Sequence, residues 1–173
     1  DIASAAALVL AVAAAVPVRG IADVRPQLAS VVEAEARTVG AYEVAVARFL
    51  ASPSYGVVGA SARRHKYGNK VLRCYQQNGR RAIPVNPHEL VIEGADSVAS
   101  VLDLPDDVKS ISVITPPAVT ERVVEQAISK GIENVWMQPG AESVASVEAC
   151  RRAGINVIAD GSCLLVVLGY RER

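Results

Sequence analysis

The sequence has few aromatic residues, few cysteines and no net charge. Of its 173 residues, 4% are aromatic and three are cysteines, and 18 basic residues balance 18 acidic ones. Without a global positive field the chain has no general attraction for nucleic acid or an anionic membrane. Cys74, Cys150 and Cys163 are far apart and show no C-x-x-C or Cys/His spacing, which argues against a zinc site. Scattered free thiols indicate a reducing compartment, the cytoplasm.

The first forty residues are rich in Ala and Val and do not begin with Met. Their apolar run, residues 5–18, is shorter than the ~20 residues that a membrane span needs, and no basic region of a signal peptide precedes it. We interpret residues 1–40 as a helical extension of one or two helices, broken near Pro17–Gly20 and Pro26. It is a candidate surface for self-association or a partner chain, and the missing Met indicates a processed chain or a piece of a longer one.

From residue 41 onward the pattern is that of alternating helices and strands. The composition, 51% hydrophobic and 21% charged, is that of a globular domain with a core. The alternation predicts an α/β fold with a doubly wound, mainly parallel five-stranded sheet and an added N-terminal helical segment. The predicted helices are residues 41–51, 69–79, 97–105, 117–131 and 141–154, and the predicted strands are residues 55–60, 81–85, 110–115, 134–138 and 156–160.

Ligands of such sheets bind beyond the carboxyl ends of the strands, at the switch in strand order. The turns that follow the predicted strands therefore belong to one candidate site. None of them carries a convincing pair of nucleophile and base, so no catalytic residue is assigned. These turns are "GAS" (59–61), "NPH" (86–88), "TPP" (115–117), "QPG" (138–140) and "DGSC" (160–163).

The first of these turns has the composition of a phosphate site. Small residues at 59–61 let a ligand approach the backbone, and the basic run "RRHK" (63–66) leads into a helix whose N-terminus favours anions. The other interpretation is a small-residue turn beside solvated basic residues, and the residues alone leave both open. No Walker motif is present. The dinucleotide fingerprint lacks its second glycine and the acid that should end the second strand, so NAD is a weak candidate.

Four segments of the chain carry a recognisable pattern when they are taken together, in this order and spacing. They are "VVGASARRHKYGNKV", "AIPVNP", "VITPPAVTERVVEQAISKGIENVWMQPG" and "AGINVIAD". Together they resemble the small CoA-binding domain family, which is related to the N-terminal domain of the succinyl-CoA synthetase α subunit. The resemblance covers about residues 41–168, so we assign residues 1–40 to an extension of unknown role and residues 41–173 to a Rossmann-like CoA-binding domain.

The resemblance implies that coenzyme A or an acyl-CoA lies across the strand ends. It places the CoA phosphates on one loop, the nucleotide end near a second turn, and pantetheine along two others. His88 departs from the pattern, because the related ligases have a lysine there. A cysteine near Cys163 recurs among the small CoA binders. The residues so implied are Gly59, Ala60, Ser61, Lys66 and Gly68 for the phosphates, Asn86, Pro87 and His88 for the nucleotide end, Thr115, Pro116, Met137 and Gln138 for pantetheine, and Cys163.

The related ligases also need a phosphorylated histidine in a second domain and a nucleotide-binding partner chain. Only His65 and His88 are present here. We therefore expect non-catalytic binding of CoA or an acyl-CoA, with no ligase reaction from this chain alone and no metal. One alternative is an interaction or regulatory module with vestigial ligand binding that docks through residues 1–40. Another is an NAD(P)-dependent oxidoreductase. Trp136 is interpreted as a packing residue and His65 as a solvated one.

Overall fold

The structure, a computed structural model, describes residues 25–172. The apolar run 5–18 and the predicted break near residues 17–20 lie outside these residues. The chain forms two compact units, one ending at Val44 and the other beginning at Ala45. The boundary predicted after residue 40 stays a prediction.

The first described element is a single long helix, α1 (Arg25–Leu50). Pro26 lies in its first turn, where the missing N–H costs no intrahelical bond, so Pro26 begins a helix rather than breaking one. The helix predicted over residues 41–51 is present as the last part of α1, and it begins earlier than predicted because only Gly40 interrupts the helical pattern and a helix tolerates one glycine. Ser52 and Pro53 follow the helix and end it, as expected.

The second unit confirms the predicted α/β fold. Five parallel strands form one sheet in the order β2-β1-β5-β6-β7, and β3 and β4 form a separate two-stranded antiparallel sheet. In chain order the elements are β1 (Ser54–Val58), α2 (Tyr67–Gln77), β2 (Arg81–Val85), β3 (Val91–Ile92), β4 (Ala95–Asp96), a 3-10 helix (Val101–Asp103), β5 (Ser110–Val113), α3 (Pro117–Lys130), β6 (Asn134–Met137), α4 (Val144–Arg152), β7 (Asn156–Ile158) and α5 (Leu164–Val167).

The strand order places a switch point beside β1. This strand pairs with β2 on one side and with β5 on the other, so the chain turns one way after β1 and the other way after β2. All residues of β1, β5 and β6 are buried, as expected for strands covered by helices on both faces. The carboxyl ends of β1, β2 and β5 therefore meet at one edge of the sheet, where this class of fold places its ligands.

Two cores cover the two faces of the sheet. On one face, aliphatic residues of the strands pack with Val123, Val124 and Ala127 of α3. On the other, Tyr75 of α2 stacks on Tyr55 with ring centroids 4.6 Å apart. Val71, Leu72 and Tyr75 are fully buried, as predicted. Ile128, predicted on the apolar face of α3, is 41% exposed and lies at the edge of that face.

The segment between β2 and β5 differs most from the prediction. Instead of a helix over residues 97–105 it contains a bridge from Val98 to Val85 and the 3-10 helix. Ser100 caps that helix by accepting from the backbone N–H of Leu102, and Pro105 closes it, so only one helical turn fits between them. The hairpin β3-β4 was not predicted, because strands of two residues carry no readable alternation.

Candidate functional site

A cleft of about 320 Å³ opens at the carboxyl ends of β1, β2 and β5. Its size is at the lower end of the range for small-molecule pockets. Side chains from β1, β2, the 3-10 helix and α3 give it apolar walls, and a few polar groups interrupt them. The lining residues are Val58, Gly59, Val85, Asn86, Pro87, Ala99, Ser100, Val101, Thr115, Val119, Arg122, Val123 and Gln126.

Gly59 forms the corner of the cleft where β1 ends. Its φ angle is +89°, in the region that favours glycine, and its N–H donates to the carbonyl of Val85 at 3.1 Å. A Cβ at this position would lie 3.3 Å from the backbone nitrogen of Thr115. Gly59 therefore allows the ends of β1, β2 and β5 to approach one another closely.

Asn86 joins the ends of β1 and β2. Its side-chain nitrogen donates to the carbonyl of Ala60 at 2.8 Å, and its oxygen accepts from the N–H of His88 at 2.8 Å and of Glu89 at 3.3 Å. The side chain is thus committed to holding the turn, while the neighbouring Pro87 lines the cleft. His88 is exposed and is not among the residues that line it.

Thr115 and Pro116 lead from β5 into α3. Pro116 is the N-cap residue of α3, and the hydroxyl oxygens of Thr115 and Thr120 lie 2.9 Å apart. Thr120 also donates to the carbonyl of Thr115 at 3.0 Å. These bonds fix the entry into α3, and with it the wall that α3 gives to the cleft.

Hydrogen bonds within the predicted phosphate loop, and from the loop to Asn69 and Glu89, hold it between β1 and α2. Ser61 accepts with its carbonyl from the side chain of Asn69 at 2.7 Å, and its hydroxyl accepts from the N–H of Arg63 at 3.2 Å. The N–H of Ala62 donates to the carboxylate of Glu89 at 2.5 Å. A carboxylate of the chain itself therefore lies on one of the backbone donors expected to bind phosphate.

The first turn of α2 packs directly on this loop. A Cβ at Gly68 would overlap the carbonyl oxygen of Gly59, so only glycine fits the position. Lys66, the N-cap residue of α2, is exposed. Ala60 and Ser61 are buried.

Acidic residues from distant segments pair with the basic residues near the loop. Arg64 lies 2.6 Å from the carboxylate of Glu93, which also accepts from Asn69 at 2.9 Å. Arg73 donates to Glu172 at 2.9 Å, and Lys70 lies 3.0 Å from the same carboxylate. Their hydrogen bonds lower the pKa of Glu172 to about 2.

A second polar cluster lies at the end of β6, where the structure brings Gln138 and Cys163 together with Tyr67. The side-chain oxygen of Gln138 accepts from the N–H of Leu164 at 2.9 Å and from the Tyr67 hydroxyl at 3.3 Å. That hydroxyl lies 2.7 Å from the Cys163 sulfur. Burial, and then the contact with Cys163, raises the pKa of Tyr67. Gln138 is 1% exposed, and its side-chain nitrogen has no hydrogen-bond partner among the described residues.

The three thiols are not equivalent. Cys74 and Cys150 are buried, and burial raises the pKa of each to about 11, so both are protonated at neutral pH. Cys163 is partly exposed beside the site. Among the described residues no group of His, Cys, Asp and Glu could hold a metal ion, and no described helix has the length and hydropathy to cross a membrane. Cytoplasmic location stays a prediction.

Apart from His88 and Pro116, which do not line the cleft, the sequence-predicted residues separate into three groups at one edge of the sheet. Gly59, Asn86, Pro87 and Thr115 line the cleft, while Ala60, Ser61, Lys66 and Gly68 belong to the loop and the start of α2. Met137, Gln138 and Cys163 lie at the end of β6, with Met137 buried at 1% exposure. Sequence reasoning missed Tyr67, Glu89, Ser100, Arg122 and Gln126. Of these, Tyr67 and Arg122 lie in helices that directly follow strand-end turns, and this position in the sequence could have marked them as candidate site residues.

The chain is similar to known proteins in sequence and in fold. The family model described as "CoA binding domain" matches residues 53–168. An ADP-forming acetate–CoA ligase of Methanocaldococcus jannaschii is 27% identical over 103 residues, which are 58% of this chain and 15% of the ligase. The chain therefore spans a small part of that relative.

Solved structures are also similar. A conserved hypothetical protein of Pyrococcus furiosus has 37% identity and a TM-score of 0.63, over 66% of this chain and 97% of that one. A dinucleotide-forming acetyl-coenzyme A synthetase of Ca. Korarchaeum cryptofilum has 23% identity and a TM-score of 0.58, over 63% of this chain and 26% of that one. This second likeness concerns the fold alone.

Proposed function

Because the chain belongs to the CoA-binding domain family, we propose that it binds coenzyme A or an acyl-CoA at the carboxyl ends of β1, β2, β5 and β6. The observation that carries the proposal is the cleft at the switch point. It lies within the segment that matches the family, and four of its lining residues, Gly59, Asn86, Pro87 and Thr115, belong to the strand-end turns.

The chemistry of this edge supports a ligand with one apolar, one anionic and one amide-containing part. The apolar walls of the cleft suit an adenine ring, and the backbone donors of the β1–α2 loop suit a diphosphate. The unpartnered side-chain nitrogen of Gln138 suits an amide carbonyl of pantetheine. A cleft of about 320 Å³ holds one end of such a long ligand, and the rest would extend toward Gln138 and Cys163.

We propose binding rather than turnover as the contribution of this chain. The segment that matches the acetate–CoA ligase is 15% of that protein, and none of the strand-end turns of this chain carries a convincing pair of nucleophile and base. Within the proposal, acyl-CoA and free CoA share the same phosphates and adenine, and the acyl group would lie at the Cys163 end.

One observation keeps the NAD(P) alternative testable. Glu89 follows β2 closely, and its carboxylate contacts the N–H of Ala62 in the loop. An acid near the end of the second strand is what a dinucleotide ribose requires. We favour CoA because the loop has no second glycine and Glu89 is already engaged by the backbone.

The test is a thermal-shift panel with CoA, acetyl-CoA, NAD, NADP and ATP at equal concentrations. A ligand at 100 times its dissociation constant stabilises the folded state by about 2.7 kcal/mol. We expect CoA and acetyl-CoA to raise the midpoint of unfolding, and ATP controls for a general nucleotide effect. Equal or larger stabilisation by NAD or NADP would contradict the proposal, and no stabilisation by any ligand would favour an interaction module.

A further inference from the structure

Arg122 lies on the second turn of α3 and lines the cleft. It carries the only positive charge among the lining residues, and no acidic side chain lines the cleft. Within residues 25–172 no hydrogen bond or ion pair engages its guanidinium. Arg81 and Lys130, which lie in other parts of the same unit, pair with Asp107 and Asp106. Arg122 is thus a cation that lines a largely apolar cleft, and no acidic side chain of the described residues pairs with it.

The surroundings of Arg122 favour an anionic group attached to a flat apolar one. Val119 and Val123, three residues before it and one after it on α3, belong to the apolar wall, and Pro87 belongs to it as well. Gln126, one turn further along α3, and Ser100 add neutral hydrogen-bonding groups to the same cleft. A guanidinium binds phosphate with two parallel hydrogen bonds, more strongly than a neutral donor does.

Arg122 lies on α3 and the phosphate loop leads into α2, and these two helices cover opposite faces of the sheet. Helix α3 packs on the face that carries Val58 and Val113, whereas α2 packs through Tyr75 on the face that carries Tyr55. A phosphate on the loop and a phosphate on Arg122 would therefore be two different groups of one ligand. Coenzyme A has two such groups, the diphosphate and the monoester on the 3′ oxygen of its ribose.

We propose that Arg122 binds the 3′-phosphate of CoA and so makes the chain select CoA over dephospho-CoA, which lacks that group. The inference rests on the proposed function, because it names the part of CoA that this end of the cleft recognises. It assigns the specificity to a helix residue rather than to the strand-end turn that contains His88, which is exposed and outside the cleft.

The experiment is calorimetric titration of the whole chain with CoA and with dephospho-CoA. The proteins are the parent, Arg122→Gln and a control, Arg152→Gln. Arg152 is an exposed arginine on α4 that is not among the residues lining the cleft, so the control makes the same chemical change elsewhere. Because Arg122 is exposed, we expect the variant to fold, and its thermal midpoint without ligand checks this.

We expect the parent to bind CoA about tenfold more tightly than dephospho-CoA, as one charge-assisted phosphate contact provides. Arg122→Gln should lose about that factor for CoA and keep its affinity for dephospho-CoA within about twofold. Arg152→Gln should resemble the parent with both ligands. Equal weakening of both ligands by Arg122→Gln, or of neither, would overturn the assignment while CoA binding itself stands. A parent that binds neither ligand would overturn the proposed function and this inference with it.

Discussion

The β1–α2 loop and the cleft lie at the same edge of the sheet, but acidic residues approach only one of them. On the loop side, the N–H of Ala62 and the guanidinium of Arg64 contact the carboxylates of Glu89 and Glu93. In the cleft, Arg122 is the only charged residue of the lining, and the other lining side chains are apolar or neutral. The loop is thus partly neutralised by the chain itself, and the cleft is not.

This difference shows why a basic run in a sequence is a weak guide to a phosphate site. The four residues "RRHK" are the densest basic run, yet Arg64 has an acidic partner supplied by a hairpin almost thirty residues away. A single arginine in an amphipathic helix attracts no notice in the sequence. The structure makes it the only charged residue of the cleft lining. Pairing, not local density, decides which cations remain available to a ligand.

Of the changes that test this difference between loop and cleft, Gly68→Ala should have the largest effect. It disrupts the packing of α2 on the loop and should lower the free energy of unfolding. The new methyl group would overlap the carbonyl oxygen of Gly59, so the start of α2 must move. We expect a loss of about 1–3 kcal/mol in the free energy of unfolding, the usual cost of overpacking. Urea denaturation measures it.

The matched control is Gly40→Ala in α1, where a Cβ would meet nothing within 4 Å. That change should stabilise its helix by about 0.5–1 kcal/mol, since alanine is the better helix former. A Gly68→Ala variant as stable as the parent would show that the loop is not packed as described.

Lys66→Ala should give the next largest effect, on affinity rather than stability. Lys66 is the exposed N-cap residue of α2, beside the backbone donors of the loop. We expect both CoA and dephospho-CoA to bind about fivefold more weakly, because both carry the diphosphate and an exposed charge contributes about 1 kcal/mol. Calorimetry with both ligands measures this, and Arg152→Ala is the control. Loss of affinity for CoA alone would place the diphosphate elsewhere.

Glu89→Gln should make the loop resemble the cleft, because it removes an acidic side chain that contacts the loop. It removes a negative charge from the N–H of Ala62 and leaves a neutral acceptor in its place. Because the carboxylate repels a phosphate at this position, we expect CoA to bind about two- to fivefold more tightly, the size of one charge at a helix N-terminus. Glu133→Gln makes the same change at the amino end of β6 and should leave affinity unchanged. Weaker binding by Glu89→Gln would show that the carboxylate positions the loop instead of competing with the ligand.

The smallest effect should come from Glu172→Gln, and only at some pH values. Arg73 and Lys70 hold the folded-state pKa of Glu172 at about 2, below its ordinary value of 4.5. A carboxyl whose pKa is lowered in the folded state stabilises the fold at pH values above its ordinary pKa. This contribution is lost as the pH falls toward 2. The thermal midpoints of parent and variant should therefore differ at pH 7 and converge near pH 2. High salt should shrink the difference, since the carboxylate is exposed. A difference in thermal midpoint that grows as the pH falls would contradict a stabilising interaction of Glu172 with Arg73 and Lys70.

The five strands of the parallel sheet could be predicted from the sequence because each is a short segment that contains Val or Ile, and β1, β5 and β6 are buried along their whole length. "RAIPV" occupies β2 from end to end, and the predicted 110–115 contains β5. Helix ends were predicted where glycine follows the last turn, as at Gly131, whose φ angle is +72°. The segment from 97 to 105 failed because apolar spacing suited a helix while the cap at Ser100 and Pro105 allowed one turn.

The site could be predicted only as far as topology determines it. The carboxyl ends of parallel strands must meet, so Gly59, Asn86 and Thr115 were found from their turns. Tyr67, Glu89 and Arg122 were not found, since their positions depend on how α2, the turn after β2 and α3 pack in three dimensions. A sequence shows which residues can carry charge, and only the fold shows which charges have partners.

Trp136 gives the molecule an internal optical reporter. It is the only tryptophan, it is fully buried, and the ring of Phe49 meets it edge-on at 5.3 Å. Its indole N–H donates at 3.2 Å to the carbonyl of Ser162, the residue before Cys163. A rigid apolar surrounding moves indole fluorescence to shorter wavelengths, and one hydrogen bond links that emission to the Cys163 segment. A ligand that shifts this segment will change the emission of an unlabelled protein, so occupancy at the far end of the sheet edge can be followed with light alone.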